Sequence, residues 1–70
     1  MKVVIMEGLG ISAQELAQRK KPFEDKGVVF EEFARTTDSA RLMEQARDAE
    51  VMILANMPMP AQVIRACPKL

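Results

Sequence analysis

The sequence predicts an α/β protein whose parallel sheet is built from the element order βαβαβα. Three short apolar runs predict the strands, and each is followed by a stretch with apolar residues at helical spacing. Turn-forming residues separate the two kinds of element. Right-handed crossovers place the second strand on one side of the first and the third on the other. The expected sheet order is therefore 2-1-3, with helices on both faces in a three-layer arrangement.

The first strand and helix have clear boundaries. Residues 3–6 form a continuous apolar run with β-branched members, which is typical of a strand buried on both faces. Ser12 is the predicted N-cap of the first helix, and Glu15 completes a capping box. Pro22 lacks an amide proton and crowds the preceding turn, so we expect it to kink or restart the helix before Gly27 ends it.

The remaining elements follow the same alternation. Residues 28–33 predict a second strand, and its partly polar sequence favours an edge position. Residues 36–39 offer several N-caps for the second helix. Residues 51–55 are wholly apolar and predict the third and most buried strand. Pro60 suits the first position of a third helix. The side chains expected to face the core from that helix are Val63, Ile64 and Cys67.

The composition excludes several kinds of active site. The chain of 70 residues has one cysteine and no histidine. It therefore has no intrachain disulfide, no Ser-His or Cys-His nucleophile pair and no histidine-ligated zinc. We expect no catalytic residue and no metal site on this chain, and we interpret Cys67 as a small buried hydrophobe because no base is available to activate it.

Charge and hydropathy indicate which classes of partner the chain is not expected to bind. Ten basic residues balance ten acidic ones, whereas a nucleic-acid-binding protein normally has a basic excess. The only aromatic residues, Phe23, Phe30 and Phe33, are expected in the core. The apolar run near the amino terminus is too short for a signal peptide or a membrane span. We expect neither nucleic acid nor membrane as a partner, and a cytoplasmic location.

A glycine motif follows the first strand. Gly8 and Gly10 open a match to G-x-G-x-x-A between a strand and a helix, which is the context of a dinucleotide-binding turn. Ser12 is placed to cap the helix amides that a pyrophosphate would need, and Glu15 adds a negative charge to the first turn. We therefore expect a turn that requires glycine rather than a cofactor site.

The loop after the third strand is the other candidate site. Ligands of open α/β sheets lie outside the carboxyl ends of the strands, where this loop meets the segment from Glu7 to Leu9. An ordinary connection is the alternative, and the residues alone do not separate the two readings. The residues of this loop are Asn56, Met57, Pro58 and Met59.

Several segments together share a pattern with a known family. The strongest are residues 48–54, residues 56–58, residues 63–64, and residues 67–70, which read Cys-Pro-Lys-Leu. With the first strand and its glycine turn, they resemble the amino-terminal segment of the D-isomer-specific 2-hydroxyacid dehydrogenases. The similarity covers essentially all of the chain.

The resemblance implies a flavodoxin-like substrate-binding domain, with residues 1–70 as a single partial domain and the Rossmann cofactor domain absent. Family members transfer a hydride between NAD(P)H and a 2-oxo or 2-hydroxy acid. Their catalytic arginine, glutamate and histidine lie further along the chain, so none is assigned here and the chain alone is expected to be inactive. The resemblance makes residues 56–59 a substrate-cleft loop and implies no cofactor at Gly8 and Gly10.

Two alternatives stay open. One is a stand-alone α/β binding or interaction module without catalysis, and the other is a half-Rossmann unit that binds a nucleotide at Gly8 and Gly10. Under the leading interpretation and both alternatives, we expect a homodimer or higher oligomer. A fourth strand would begin at about Leu70, so the apolar edge of the third strand lacks a partner, and the first helix covers its sheet face alone.

Overall fold

The computed structural model describes all residues, Met1–Leu70, and confirms the α/β fold with helices on both faces of a parallel sheet. The strand order is β2-β1-β3, as predicted. The elements are β1 (Lys2–Ile5), α1 (Ala13–Glu24), β2 (Val29–Glu32), α2 (Ser39–Ala46), β3 (Val51–Ile53) and α3 (Ala61–Arg65).

The hydrophobic core lies on one side of the sheet. Alternate residues of a strand point to opposite faces. Val4 of β1, the central strand, and Met6, which directly follows β1, are fully buried against α2 and α3. The other members of this core are Leu42, Ala46, Ala49, Met57, Val63 and Cys67. The opposite face is covered by α1, which has no buried residue. The two faces of the sheet are therefore unequally protected.

The strands confirm the predicted edge position of β2 and correct the prediction for β3. β3 is three residues long rather than five, and Val51 is 38% exposed. β1 is the most buried strand because it alone has a partner on both sides. An apolar sequence did not distinguish a central strand from an edge strand.

α1 corrects the prediction for Pro22. The helix continues through Pro22 to Glu24 without a break. Pro22 lies in the last turn, so its missing amide costs one hydrogen bond and little helix follows it. Ser12 caps the helix by accepting from the Glu15 amide at 3.0 Å. The Glu15 carboxylate accepts from Arg19 at 2.9 Å rather than from the Ser12 amide, so only half of the capping box forms.

α2 and α3 position the core residues. Asp38 is the N-cap of α2, and it accepts hydrogen bonds from the amides of Ala40 and Arg41. In α3 the prediction for Val63 is confirmed, but the prediction for Ile64 is wrong, since its side chain is 47% exposed. A five-residue helix buries only a narrow stripe.

The prediction that the aromatic residues lie in the core is wrong for Phe23 and is confirmed for Phe33, which packs against the core. Phe23 is 57% exposed, whereas Phe30 and Phe33 are half-buried. Phe23 packs edge-on against Phe30, with ring centroids 6.5 Å apart, at the border of α1 and the sheet. None of the helices combines the length and apolar character that crossing a membrane requires.

Candidate functional site

The carboxyl ends of the three strands meet at one edge of the sheet. The chain leaves β1 through Met6 and Glu7, and it leaves β3 through the loop that contains residues 56–59. The strand order changes direction between β1 and β3, and this point of a parallel sheet is where ligands usually bind. The two segments that meet at this edge are the candidate functional site.

Glu7 is the only buried charged residue of the chain, with 5% of its surface exposed. Its Oε2 atom accepts hydrogen bonds from three consecutive backbone amides of the segment that follows β3. The distances are 2.8 Å to the Ala55 nitrogen, 3.1 Å to the Asn56 nitrogen and 3.0 Å to the Met57 nitrogen. Consecutive amides that converge in this way form an anion-binding concavity, and here the anion belongs to the chain itself.

The parallel ladder explains how Glu7 reaches this loop. The Met6 amide donates to the Ile53 carbonyl oxygen at 2.9 Å, which extends the pairing one residue beyond β1. Glu7 therefore comes level with the start of the loop that follows β3. A carboxylate at this position fixes the loop to the end of the central strand.

Opposing effects set the pKa of Glu7. Burial acts to raise the pKa, whereas the three backbone hydrogen bonds and the positive charge of Arg35 lower it. The net result is a pKa below the ordinary value of 4.5, so Glu7 is ionised at neutral pH. A buried carboxylate oxygen that accepts three backbone hydrogen bonds is a stable part of the fold rather than a free acid or base.

The predicted loop residues do not share one environment. Met57 is only 4% exposed, and its side chain belongs to the core. Met59 also packs against the core. Asn56 and Pro58 are exposed. Of these four predicted residues, only Asn56 offers a polar side chain to a ligand.

Arg35 adds a positive charge to the same edge. It lies in the loop after β2, is exposed, and forms no salt bridge. Its positive charge helps to lower the pKa of the Glu7 carboxyl. Neither Arg35 nor the role of Glu7 was predicted from the sequence. The available signal for Glu7 was a charged residue directly after a buried strand.

The glycine turn beside this edge adopts the expected backbone. Gly10 has a φ of +76°, a conformation that favours glycine, while Gly8 lies outside that region. Ser12 occupies one amide of the following helix, that of Glu15. The turn joins β1 to α1 and does not contribute to the hydrogen bonds of Glu7.

A second concavity lies between β2 and α2. It has a volume of about 430 Å³ and contains one ion pair, Lys2 with Glu31 at 2.8 Å. The Gln45 Oε1 atom beside it is buried and accepts no hydrogen bond. Two cations and two anions line this groove, so it has no preference for either sign of charge. The residues are Lys2, Glu31, Phe33, Arg41, Glu44 and Gln45.

The Cys67 thiol, the one cysteine side chain, has a structural role. The Cys67 thiol donates to the Val63 carbonyl oxygen at 3.2 Å, and burial raises its pKa. It is therefore a protonated core residue, as its position in the sequence indicated. No three His, Cys, Asp or Glu side chains lie close enough together to hold a metal ion.

No protein-family model matches the chain, and no curated protein or solved structure matches it either. The resemblance to the 2-hydroxyacid dehydrogenases accordingly depends only on the sequence segments described above.

Proposed function

We propose that this chain is the amino-terminal part of the substrate-binding domain of an NAD(P)-dependent 2-hydroxyacid dehydrogenase, and that it is inactive alone. The observation that carries the proposal is the carboxyl edge of β1 and β3, where Glu7 joins the two segments by accepting three backbone hydrogen bonds. Its position at the point where the strand order changes direction supports a ligand-binding role.

The charges at this edge favour a small carboxylic acid. Glu7 already occupies the three amides of residues 55–57, so these amides are not available to a substrate. The Arg35 guanidinium and the Asn56 side chain remain free to bind a carboxylate and a carbonyl oxygen. We assign them this role in binding a 2-oxo or 2-hydroxy acid.

The cofactor is assigned to a different domain. NAD(P) would be held across the cleft and would supply the hydride, and Gly8 and Gly10 would connect two elements without contacting it. A cytoplasmic location is part of this proposal. Reading the coding frame downstream is its simplest check, because a second glycine-rich fingerprint followed by Arg, Glu and His would complete the enzyme.

A binding titration tests the proposal on the chain itself. We expect pyruvate to shift the backbone amide resonances of Arg35 and Asn56 in a saturable way at millimolar concentrations. Propionate, which lacks the 2-oxo group, should shift them less. The Arg35→Gln variant should weaken binding at least about tenfold, because it removes the charged donor. Arg65→Gln, which changes an exposed arginine on α3, is the matched control.

Two results would contradict the proposal. One is the absence of any pyruvate-dependent shift at this edge, and the other is a set of shifts confined to the groove around Lys2 and Arg41. NADH oxidation by the isolated chain with a 2-oxo acid would contradict its predicted inactivity.

The alternative of an interaction module is favoured by one observation, the apolar surface beside α1. It requires no ligand at the carboxyl edge of the sheet. The half-Rossmann alternative is tested by a calorimetric titration with NADH, and saturable binding that Gly10→Val abolishes would support it.

A further inference from the structure

The groove between β2 and α2 is the largest concavity of the chain and has no part in the proposed function. Its volume of about 430 Å³ lies within the range of roughly 300–1,000 Å³ that is typical of small-molecule sites. Any strand that extends the sheet beside β3 lies at the edge opposite β2 and would not cover this groove. The groove can therefore be considered as a site in its own right.

The sheet forms the first wall of the groove. Glu31 is level with Val4 in the parallel ladder, so its side chain lies on the same face of the sheet as the core. Lys2 is two residues before Val4, on that same face, and its ammonium lies 2.8 Å from the Glu31 carboxylate. This ion pair keeps the hydrophobic core from extending onto β2. Phe33 is the one hydrophobic residue of the lining.

α2 forms the second wall with Arg41, Glu44 and Gln45, whose spacing of i, i+3 and i+4 places them on one side of the helix. Neither Arg41 nor Glu44 forms a salt bridge. The Gln45 Oε1 atom is buried and accepts no hydrogen bond, which is unusual in a folded protein. This wall therefore presents one free cation, one free anion and one unsatisfied acceptor.

We propose that this groove binds a free α-amino acid in its zwitterionic form. The Arg41 guanidinium binds the carboxylate through paired donors, and the Glu44 carboxylate binds the ammonium. The ammonium has three donors, so a second one reaches Gln45 Oε1 once the soft terminal torsion of Gln45 turns this oxygen toward the groove. Phe33 contacts the side chain of the ligand, which favours an apolar amino acid.

The charges of the groove disfavour other classes of ligand. A phosphate would meet the carboxylates of Glu31 and Glu44, and a divalent cation would meet Lys2 and Arg41. No group of three acidic, His or Cys side chains is available for a metal. The end of a peptide carries only one of the two charges. A free amino acid carries both on one carbon, and residues three apart on a helix have Cβ atoms only about 5–6 Å apart, so one small molecule can reach both partners.

A titration of the isotope-labelled chain with L-leucine tests the proposal. We expect saturable shifts of the Gln45 side-chain amide and of the Glu44 and Gln45 backbone amides, with a Kd in the millimolar range because the ligand is small. Two analogues serve as matched probes: 4-methylpentanoate lacks the ammonium, and 3-methylbutylamine lacks the carboxylate. Each should bind at least about tenfold more weakly than leucine, since each loses one charged contact.

Variants of α2 separate the two charged contacts. In Arg41→Gln, leucine should bind no more tightly than 3-methylbutylamine, because its carboxylate has no partner. In Glu44→Gln, leucine should bind no more tightly than 4-methylpentanoate. Both residues are exposed, so the fold should tolerate these changes. Arg47→Gln changes an exposed arginine at the end of α2 that does not line the groove, and it should leave the affinity for leucine unchanged.

Three results would overturn the proposal. The first is the absence of a saturable shift on α2 at any leucine concentration up to its solubility. The second is equal binding of leucine and either analogue to the wild-type chain, which would mean that only one charge is recognised. The third is a loss of affinity in Arg47→Gln as large as that in Arg41→Gln. None of these results bears on the binding of pyruvate at Arg35 and Asn56, so the two proposals can fail separately.

Discussion

At the scale of the residue, the carboxylate of Glu7 has two effects. It satisfies three amides that would otherwise lie unpaired at the edge of the core, and it fixes the loop after β3 to the end of β1. Both effects need the charged form, since an ionised oxygen accepts several hydrogen bonds more strongly than a neutral one. The sequence showed the charge, but its three partners lie about 50 residues away along the chain.

Replacing Glu7 by Gln should destabilise the protein at neutral pH. Because the pKa of Glu7 is lowered in the folded state, its stabilising effect is complete above the ordinary pKa of 4.5 and is lost as the pH falls through the lowered pKa. The difference in unfolding free energy between wild type and Glu7→Gln should therefore shrink below pH 4.5. Chemical denaturation across this pH range measures it.

Glu24→Gln is the control for this experiment, because Glu24 is an exposed carboxylate in the last turn of α1. It should change the unfolding free energy by no more than about 0.5 kcal/mol at any pH. A difference between wild type and Glu7→Gln that grows on acidification would mean that the pKa of Glu7 is raised, contrary to this account.

At the scale of the element, α2 was the most predictable part of the chain. Its N-cap lies among the residues proposed, and α2 supplies Leu42 and Ala46 to the core, which Ala49 joins from the turn after the helix. Local signals suffice there because the cap and the stripe are both encoded within a few residues. α3 was less predictable, since which of two neighbouring apolar residues is buried depends on how α3 packs on α2.

Val63 and Ile64 provide a matched pair on α3. Val63 is fully buried and Ile64 is 47% exposed. We expect Val63→Ala to lower the unfolding free energy by about 1.5–3 kcal/mol. Ile64→Ala should lower it by less than about 1 kcal/mol, although it removes a larger side chain. Denaturant titrations measure both values. Equal losses of unfolding free energy for the two variants would mean that Ile64 is buried as deeply as Val63.

Pro22 is the one helix residue that local rules disfavour. Pro22→Ala restores an amide donor in the last turn of α1, and proline in a helix interior costs up to about 3 kcal/mol relative to alanine. Part of that gain is offset because alanine gives the unfolded chain more conformational entropy than proline does. We expect a net stabilisation of about 1–2 kcal/mol by thermal or chemical unfolding. A loss of stability would show that Pro22 shapes the turn to Gly27.

At the scale of the whole molecule, the order of the strands could be predicted from the sequence. How closely the helices cover each face of the sheet could not. Right-handed crossovers with helices on both faces of the sheet give the order β2-β1-β3, which the structure confirms. The same rules do not reveal how much of each sheet face a helix covers, because coverage depends on contacts between distant elements. Three residues have a burial that the sequence did not predict: Phe23 and Val51 are exposed, and Glu7 is buried.

The central claim is that Glu7 holds the loop after β3 against the end of β1 through backbone hydrogen bonds. Native-state hydrogen exchange of the wild-type chain measures this directly. The amides of Ala55, Asn56 and Met57 should exchange much more slowly than those of Ala34 and Thr37, which donate no hydrogen bond in the loop after β2. Exchange of the three amides as fast as that of Ala34 and Thr37 would contradict the claim.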